Sequence, residues 1–181
     1  VNIAKSNIEN NSFLPKSIAS VLNSKALSGI CDRIENLIEV NDAHKIAISS
    51  SLGAAKNFIV TTDFDSAKRA IKYLKTFNLG RCTFFPLDTI KSRYIDNAAL
   101  NSIKDLTGFI GIASDLVSYD KKYKNIIENQ LGNVIIVDSL DVANKIGKKI
   151  DYKYKIVSLE GDILYSGGAV SGGRVNTNND D

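Results

Sequence analysis

The 181-residue chain has no methionine, no tryptophan, one histidine, two cysteines and two prolines. Cys31 and Cys82 lack Cys-x-x-Cys spacing, and with His44 they offer a zinc ion too few ligands. No apolar run approaches the roughly 18 residues of a membrane-spanning helix, and no basic-then-apolar leader opens the chain. The sequence therefore predicts a globular protein with reduced thiols in a reducing cytosol, and no membrane partner.

Motifs for catalysis and nucleotide binding are also missing. The glycine-rich segment 166–173 lacks the lysine and hydroxyl of GxxxxGK[ST], and the sequence has no GxGxxG. His44 has no serine or cysteine at a suggestive spacing, and the carboxylates are scattered. We therefore predict no catalytic residue, no cofactor and no metal, in a chain that is not an enzyme. Because it opens at Val1 without any methionine, we expect it to be a piece of a longer protein.

What the sequence does contain is one unit repeated twice. Gly29–Gly53 aligns with Gly108–Gly132 at a separation of 79 positions. After a three-residue deletion the separation becomes 76, as for Ile59 and Ile135. Each copy is predicted to run strand, helix, strand, helix, strand, which indicates an α/β fold of the α+β type. Two pseudo-symmetric half-domains follow, each a small mixed sheet with packed helices.

The predicted elements have the following bounds. In the first copy, strands cover residues 34–40, 57–62 and 82–87, with helices over 42–53 and 65–78. In the second copy, strands cover 110–117, 134–137 and 154–159, with helices over 120–131 and 139–149. The domain plan is a lead-in over 1–14, a first half over 15–90, a helical linker over 91–107, a second half over 108–174 and a tail over 175–181.

The glycine-rich segment closes the second copy, after a hairpin predicted to turn at Glu160-Gly161. Gly167, Gly168, Gly172 and Gly173 remove side chains, so that another backbone can approach or the chain can turn sharply. A flexible linker is the alternative interpretation.

Basic residues interleave with tyrosines between Lys148 and Lys155. In an extended strand Tyr152 and Tyr154 would share one face and the lysines the other, which suits the stacking and charge of a single-stranded nucleic acid. The alternative is that Tyr154 packs in the core while the lysines solubilise an edge strand. The lysines of helix 65–78 are interpreted as a solvated helix face.

Several linked motifs resemble the hinge domain of SMC proteins. Residues 80–90, GRCTFFPLDTI, are similar to the GRATFLPL-type segment of that family. Residues 67–75, residues 131–138 and the terminal GG-x-x-x-GG agree with the family in order and spacing. The resemblance covers Pro15 to Arg174 and is closest to the bacterial chromosome-segregation (condensin) type.

The resemblance implies a homodimerisation module at the far end of a long antiparallel coiled coil, whose other end is an ABC-type ATPase head. Two hinges would join with the first half of one against the second half of the other. Kleisin and accessory subunits would bind elsewhere in the parent protein, which would act in chromosome condensation in the cytoplasm, on the nucleoid. The implied interface candidates are Gly167, Gly168, Gly172 and Gly173, with Gly108 and Gly111 as weaker ones.

The resemblance also implies weak DNA contact without sequence preference, and the interleaved tyrosines favour single strands. The candidate contacts are Lys91, Arg93, Lys148, Lys149, Lys153 and Lys155. Two other functions stay open on the residues alone. One is a stand-alone nucleic-acid-binding α/β module, with affinity that survives in a monomer; the other is a small-molecule enzyme with a pocket between the halves.

Overall fold

The computed structural model describes residues 14–173, so most of the predicted lead-in and all of the tail lie outside the described residues. The helices and strands are numbered here in chain order. They are α1 (Lys16–Asn23), β1 (Ile30–Arg33), β2 (Glu39–Val40), α2 (Lys45–Leu52), β3 (Ile59–Thr61), α3 (Phe64–Thr76), β4 (Phe84–Pro86), α4 (Asn97–Ile103), β5 (Phe109–Ile112), β6 (Val117–Ser118), α5 (Lys124–Leu131), β7 (Val134–Val137), α6 (Leu140–Lys149), β8 (Lys155–Ser158), β9 (Ile163–Leu164) and β10 (Val170–Ser171).

The backbone separates into two compact units that are not contiguous in sequence. The first unit contains the described residues up to Leu37 together with Ala54–Ile90. The second contains Ile38–Gly53 together with the described residues from Lys91 onward. This grouping differs from a contiguous first half over 15–90, because β2 pairs with β6 and α2 packs against α5.

The first unit is a three-stranded sheet in the order β1-β3-β4. Strand β1 is antiparallel to β3, and β3 is parallel to β4. Helix α3 is capped by Asp63, whose carboxylate accepts the Ser66 N–H at 2.7 Å, and it buries Ala70 and Leu74 on one face. Those side chains form the core of this unit with Ile18, Val21 and Ile59.

The second unit contains a five-stranded sheet in the order β10-β9-β8-β7-β5 and the two-stranded ribbon β2-β6. All four residues of β7 are buried, as expected for a central strand rich in valine and isoleucine. Helix α6 covers this sheet through Ala143 and Ile146. None of the helices within residues 14–173 has the length and apolarity that crossing a bilayer requires.

The predicted repeat is confirmed at the level of strand register. Strand β5 is antiparallel to β7 and β7 is parallel to β8, which repeats β1, β3 and β4. Both antiparallel pairs contain a register shift at equivalent positions, in Ile30–Asp32 and in Phe109–Gly111. The Thr62 N–H donates to the Gly29 carbonyl at 2.9 Å, and Asp138 donates to Gly108 at the same distance. The α/β fold class with two small mixed sheets is confirmed.

Two predicted elements are wrong in detail. Residues 34–40 do not form one strand, because Ile34–Leu37 is a 3-10 turn that leaves Glu39–Val40 extended. The turn follows Arg33, a buried side chain whose guanidinium donates to Asn57 Oδ1 at 2.8 Å. The second copy repeats this turn at Ala113–Leu116, within the predicted strand 110–117.

The predicted helical linker over 91–107 is helical only in α4, after which the chain turns. Before α4 the chain runs along α5 without regular structure. The Asn129 side-chain amide donates to the Lys91 carbonyl at 2.9 Å, and the Arg93 N–H donates to the Glu128 carbonyl at 3.4 Å. Those two bonds satisfy the Lys91 carbonyl and the Arg93 N–H, which a helix would otherwise satisfy internally.

The close packing of Gly108 against Val142 and Asp138 can be tested by substitution. A Cβ added there would lie 2.6 Å from Val142 Cγ2 and 2.8 Å from Asp138 Oδ1, whereas one added at Gly53 meets no atom within 4 Å. Both glycines have positive φ, so Gly53→Ala carries the backbone strain without the clash. We expect Gly108→Ala to lower the free energy of unfolding by about 1–3 kcal/mol more than Gly53→Ala. Urea titration measures both, and equal losses would contradict the packing assigned to Gly108.

Candidate dimer interface and basic segment

The glycine-rich segment forms a second hairpin rather than a linker. Strand β9 pairs antiparallel with β10, with Val170 opposite Leu164. Within the connecting loop, the Tyr165 N–H donates to the Ala169 carbonyl at 2.7 Å and the Gly168 N–H donates to the Tyr165 carbonyl at 2.9 Å. Gly167 and Gly168 have φ of +91° and +104°, which glycine adopts without steric cost. The turn therefore requires these two glycines for their backbone conformation.

Strand β10 ends the five-stranded sheet, and its outer edge is unpaired among residues 14–173. The Ala169 carbonyl accepts the Tyr165 N–H, and the Gly173 N–H donates to Asp162 Oδ1. Both residues therefore direct main-chain groups toward the β9 side. Backbone direction alternates along a strand, so Val170 and Gly172 direct their N–H and C=O groups outward. The Val170 side chain is 60% exposed. This edge is a template for another strand.

The six candidate glycines do not lie together. Gly167, Gly168, Gly172 and Gly173 share the β9-β10 hairpin, whereas Gly108 and Gly111 lie at β5, the opposite edge of the same sheet. A Cβ at Gly172 would collide with the Asp162 carboxylate, and one at Gly108 would collide with Val142. Packing within the chain is therefore one reason why positions 108 and 172 are glycines. At the other three hairpin glycines an added Cβ would meet no described atom within 4 Å.

Another strand edge, which was not predicted from the sequence, lies at β4 in the first unit. Thr83 accepts the Ile59 N–H and Leu87 donates to the Thr61 carbonyl, so Phe84 directs its main-chain groups away from β3. In the other copy the same edge of β8 is covered by β9. One signal in the sequence could have predicted the open edge of β4: a hairpin follows the last strand in the second copy but not in the first.

The basic segment is not the extended strand that we predicted. Asp151 and Tyr152 both have φ of +54°, and β8 begins only at Lys155. The alternation of tyrosines and lysines on opposite faces is therefore wrong. The Lys153 ammonium instead lies 5.3 Å from the Tyr154 ring centroid, and both side chains reach Asp96 Oδ2, at 3.1 and 2.7 Å.

Asp96 joins this segment to the start of α4. The Ala99 N–H, the Tyr154 hydroxyl and the Lys153 ammonium donate to its carboxylate and lower its pKa to about 2. The same contact with Asp96 raises the pKa of Lys153. Lys153 therefore has a partner within the chain, although its side chain stays 62% exposed.

Lys155 is also engaged inside the chain. Its ammonium donates to the Ser51 carbonyl at 2.7 Å, at the C-terminal end of α2 where carbonyls lack helical partners. Burial lowers the pKa of this lysine. The contact gives the Ser51 carbonyl, at the end of α2, a hydrogen-bond donor, and it leaves Lys155 half-buried.

The remaining basic candidates are exposed. Lys148 and Lys149 end α6, while Lys91 and Arg93 precede α4. The three ion pairs among residues 14–173 join Arg33 with Glu35, Lys45 with Asp42 and Lys153 with Asp96. None of the four exposed candidates takes part in one of those pairs.

Comparison with known proteins gives consistent findings. The profile of the family described as SMC proteins Flexible Hinge Domain matches residues 27–147. Chromosome partition protein Smc of Mesomycoplasma hyorhinis is 39% identical over 174 residues, which cover 96% of this chain and 18% of that protein. The protein of the same name from Bacillus subtilis (strain 168) is 38% identical over 163 residues, which cover 90% of this chain and 14% of that protein.

One solved structure matches closely, an asymmetric dimer of the Geobacillus stearothermophilus SMC hinge domain. The TM-score is 0.89 at 37% identity, over 97% of this chain and 74% of that one. The chain therefore spans most of a solved hinge domain but less than a fifth of the curated relatives it matches.

Asp96 generates a prediction for acid stability. Its pKa is about 2 in the folded chain against an ordinary 3.8, so its contribution to stability is present above about pH 4 and is lost as the pH falls towards 2. Asp96→Asn keeps an N-cap residue for α4 but removes the charge. We expect the stability difference between wild type and variant, measured by urea unfolding, to shrink from pH 4 to pH 2. A difference that stays constant across this range would contradict the charge contribution.

Proposed function

This chain belongs to the SMC flexible hinge domain family, and from that membership we propose that it homodimerises through the open strand edges of β10 and β4. The hinge is a non-catalytic dimerisation module. The observation that carries the proposed contact is the outward row of main-chain groups on β10, beside an exposed Val170. An exposed edge strand with an apolar side chain is an aggregation hazard unless a partner covers it.

The repeat supports β4 as the matching edge. The two copies have the same topology through their third strands, but only β8 continues into a hairpin that covers its outer edge. A β10 strand from a second chain would give β4 the neighbour that β9 gives β8. Each chain has one edge of each kind, so two chains can make two equivalent contacts and close as a dimer.

Side chains support the same pairing. Val170 lies opposite Leu164 in register, and residues directly opposite in an antiparallel pair point to the same face. Leu164 belongs to the core covered by α6, so Val170 extends that apolar face beyond the last strand of the sheet. A partner strand would remove Val170 from water.

For the parent protein, we propose a role in chromosome condensation and segregation, because the curated relatives are named chromosome partition proteins. Coiled-coil arms, ATPase heads and sites for kleisin and accessory subunits would lie beyond this chain, which would act in the cytoplasm on the nucleoid. The hinge would also touch DNA weakly and without sequence preference. Of the basic candidates, the exposed Lys91, Arg93, Lys148 and Lys149 suit this contact better than Lys153 and Lys155, which are engaged internally.

Dimerisation through β10 is tested by solution mass. Light scattering at micromolar concentration should give about twice the 19.7 kDa of one chain. We expect Val170→Asp to shift the protein to folded monomers, because a carboxylate at the pairing edge would lose hydration in the contact. Gly168→Val with Gly172→Val should also reduce dimerisation, in part by straining the turn at residue 168 and by displacing Asp162.

The matched control for that experiment is Phe77→Asp, which changes an apolar side chain of similar exposure, 62%, at the end of α3. The control should remain a dimer. If Val170→Asp is as dimeric as the wild type while its circular dichroism is native, β10 is not the contact.

DNA contact by the end of α6 is tested with a charge-reversed pair. Lys148→Glu with Lys149→Glu should weaken binding to a single-stranded oligonucleotide, and the log–log salt slope should become shallower by about 0.7 for each phosphate that is no longer neutralised. The control is Lys121→Glu with Lys122→Glu, an exposed adjacent pair that gives the same change in net charge. Fluorescence anisotropy at low salt measures both. Equal weakening by the two pairs would show that net charge, and not this site, sets the affinity.

A further inference from the structure

Tyr152 has a backbone conformation that the end of its helix does not require. Helix α6 ends with Asp151 as its left-handed residue, just as α3 ends with Asn78 at φ of +52°. The closing bonds also match, from the Tyr152 N–H to the Gly147 carbonyl at 2.8 Å and from Leu79 to Leu74 at 3.0 Å. Unlike Leu79, however, Tyr152 is itself left-handed. In the first copy the further positive φ falls one position later and on a glycine, Gly80 at +97°, whereas in the second copy it falls on a bulky tyrosine.

The Tyr152 side chain is fixed on α6. A Cβ added at Gly147 would lie 2.9 Å from two carbons of the Tyr152 ring, so the absence of a side chain there makes room for the ring. The Tyr152 hydroxyl donates to Asn144 Oδ1 at 3.0 Å. These two contacts hold a conformation that is sterically disfavoured for a bulky residue.

The left-handed turn places two consecutive carbonyls against the glycine hairpin. The Tyr152 carbonyl accepts the Gly167 N–H at 2.8 Å. The next carbonyl, of Lys153, accepts the Ser166 hydroxyl at 2.9 Å. Both bonds lie in the loop that leads into β10, so they tie the candidate edge strand to the end of α6.

We propose that Tyr152 is a positioning residue for dimerisation. Its left-handed backbone presents the two carbonyls that hold the β9-β10 loop, so that β10 is oriented before a partner arrives. Ordering the loop in advance removes an entropic cost from association. This inference rests on the proposed contact through β10, and it extends that contact to a residue outside the strand.

The test compares two substitutions of similar size. Tyr152→Val and Tyr152→Asn both remove the ring, but asparagine tolerates left-handed backbone and a β-branched valine does not. We expect the dimer dissociation constant of the valine variant to be about tenfold or more above that of the asparagine variant. Sedimentation equilibrium measures both constants, and hydrogen exchange reports the Gly167 amide. That amide should lose protection in the valine variant alone.

A second pair keeps the inference testable if valine at position 152 prevents folding. Ser166→Ala removes the hydroxyl bonded to the Lys153 carbonyl, and Ser102→Ala removes another exposed hydroxyl, bonded to the Ala99 carbonyl at 2.6 Å. Dimer affinity should fall for Ser166→Ala and stay unchanged for Ser102→Ala.

The outcomes separate this inference from the proposed contact. If the wild type is a dimer but the valine and asparagine variants have equal dimer dissociation constants, Tyr152 has no positioning role. The same follows if Ser166→Ala leaves the dimer affinity unchanged. Either result leaves dimerisation itself in place. A dimer that is insensitive to Val170→Asp refutes the β10 contact, and the positioning role fails with it.

Discussion

Main-chain hydrogen bonding at the edge of a small sheet limits what each half of this chain can do alone. A parallel pair such as β3-β4 satisfies one side of each strand, and the other side needs water, another strand or a covering element. In the second copy the chain supplies that neighbour itself through β9. In the first copy, among the described residues, no strand follows β4 at this edge. This difference between two otherwise similar units is the basis of the pairing proposed between chains.

The repeat and the helices could be predicted because burial imposes a period on the sequence. Ala67, Ala70 and Leu74 recur at helical spacing and do form the buried face of α3. The strand over residues 34–40 was predicted less well. Ile34 and Leu37 lie three positions apart, a spacing that suits a helical turn and puts two strand residues on opposite faces. Their 3-10 turn follows a buried Arg33, whose partner Asn57 lies 24 positions away and has no local signature.

The candidate site could be predicted only in outline. The glycines of residues 167–173 marked the hairpin, because left-handed turns and close approaches select that residue. Tyr152 gave no such signal, since nothing in a tyrosine announces positive φ. From the sequence, Lys155 and Lys153 were predicted to be surface charges that could bind DNA. Their partners within the chain, Ser51 and Asp96, lie 104 and 57 positions away and could not be recognised from the local sequence. Long-range partners of this kind decide which lysines remain available to a polyanion.

The placement of Ile38–Gly53 in the second unit has a consequence for how the protein is made. Strand β2 pairs Glu39 with Ser118, and α2 ends on Lys155, so this early segment needs residues that leave the ribosome much later. Closing such long loops slows folding, and the nascent chain must keep an apolar helix without its partners in the meantime. A fragment that begins at residue 91 would lack the Ile38–Gly53 part of the second unit. The second unit is therefore completed only when its last strands have been synthesised.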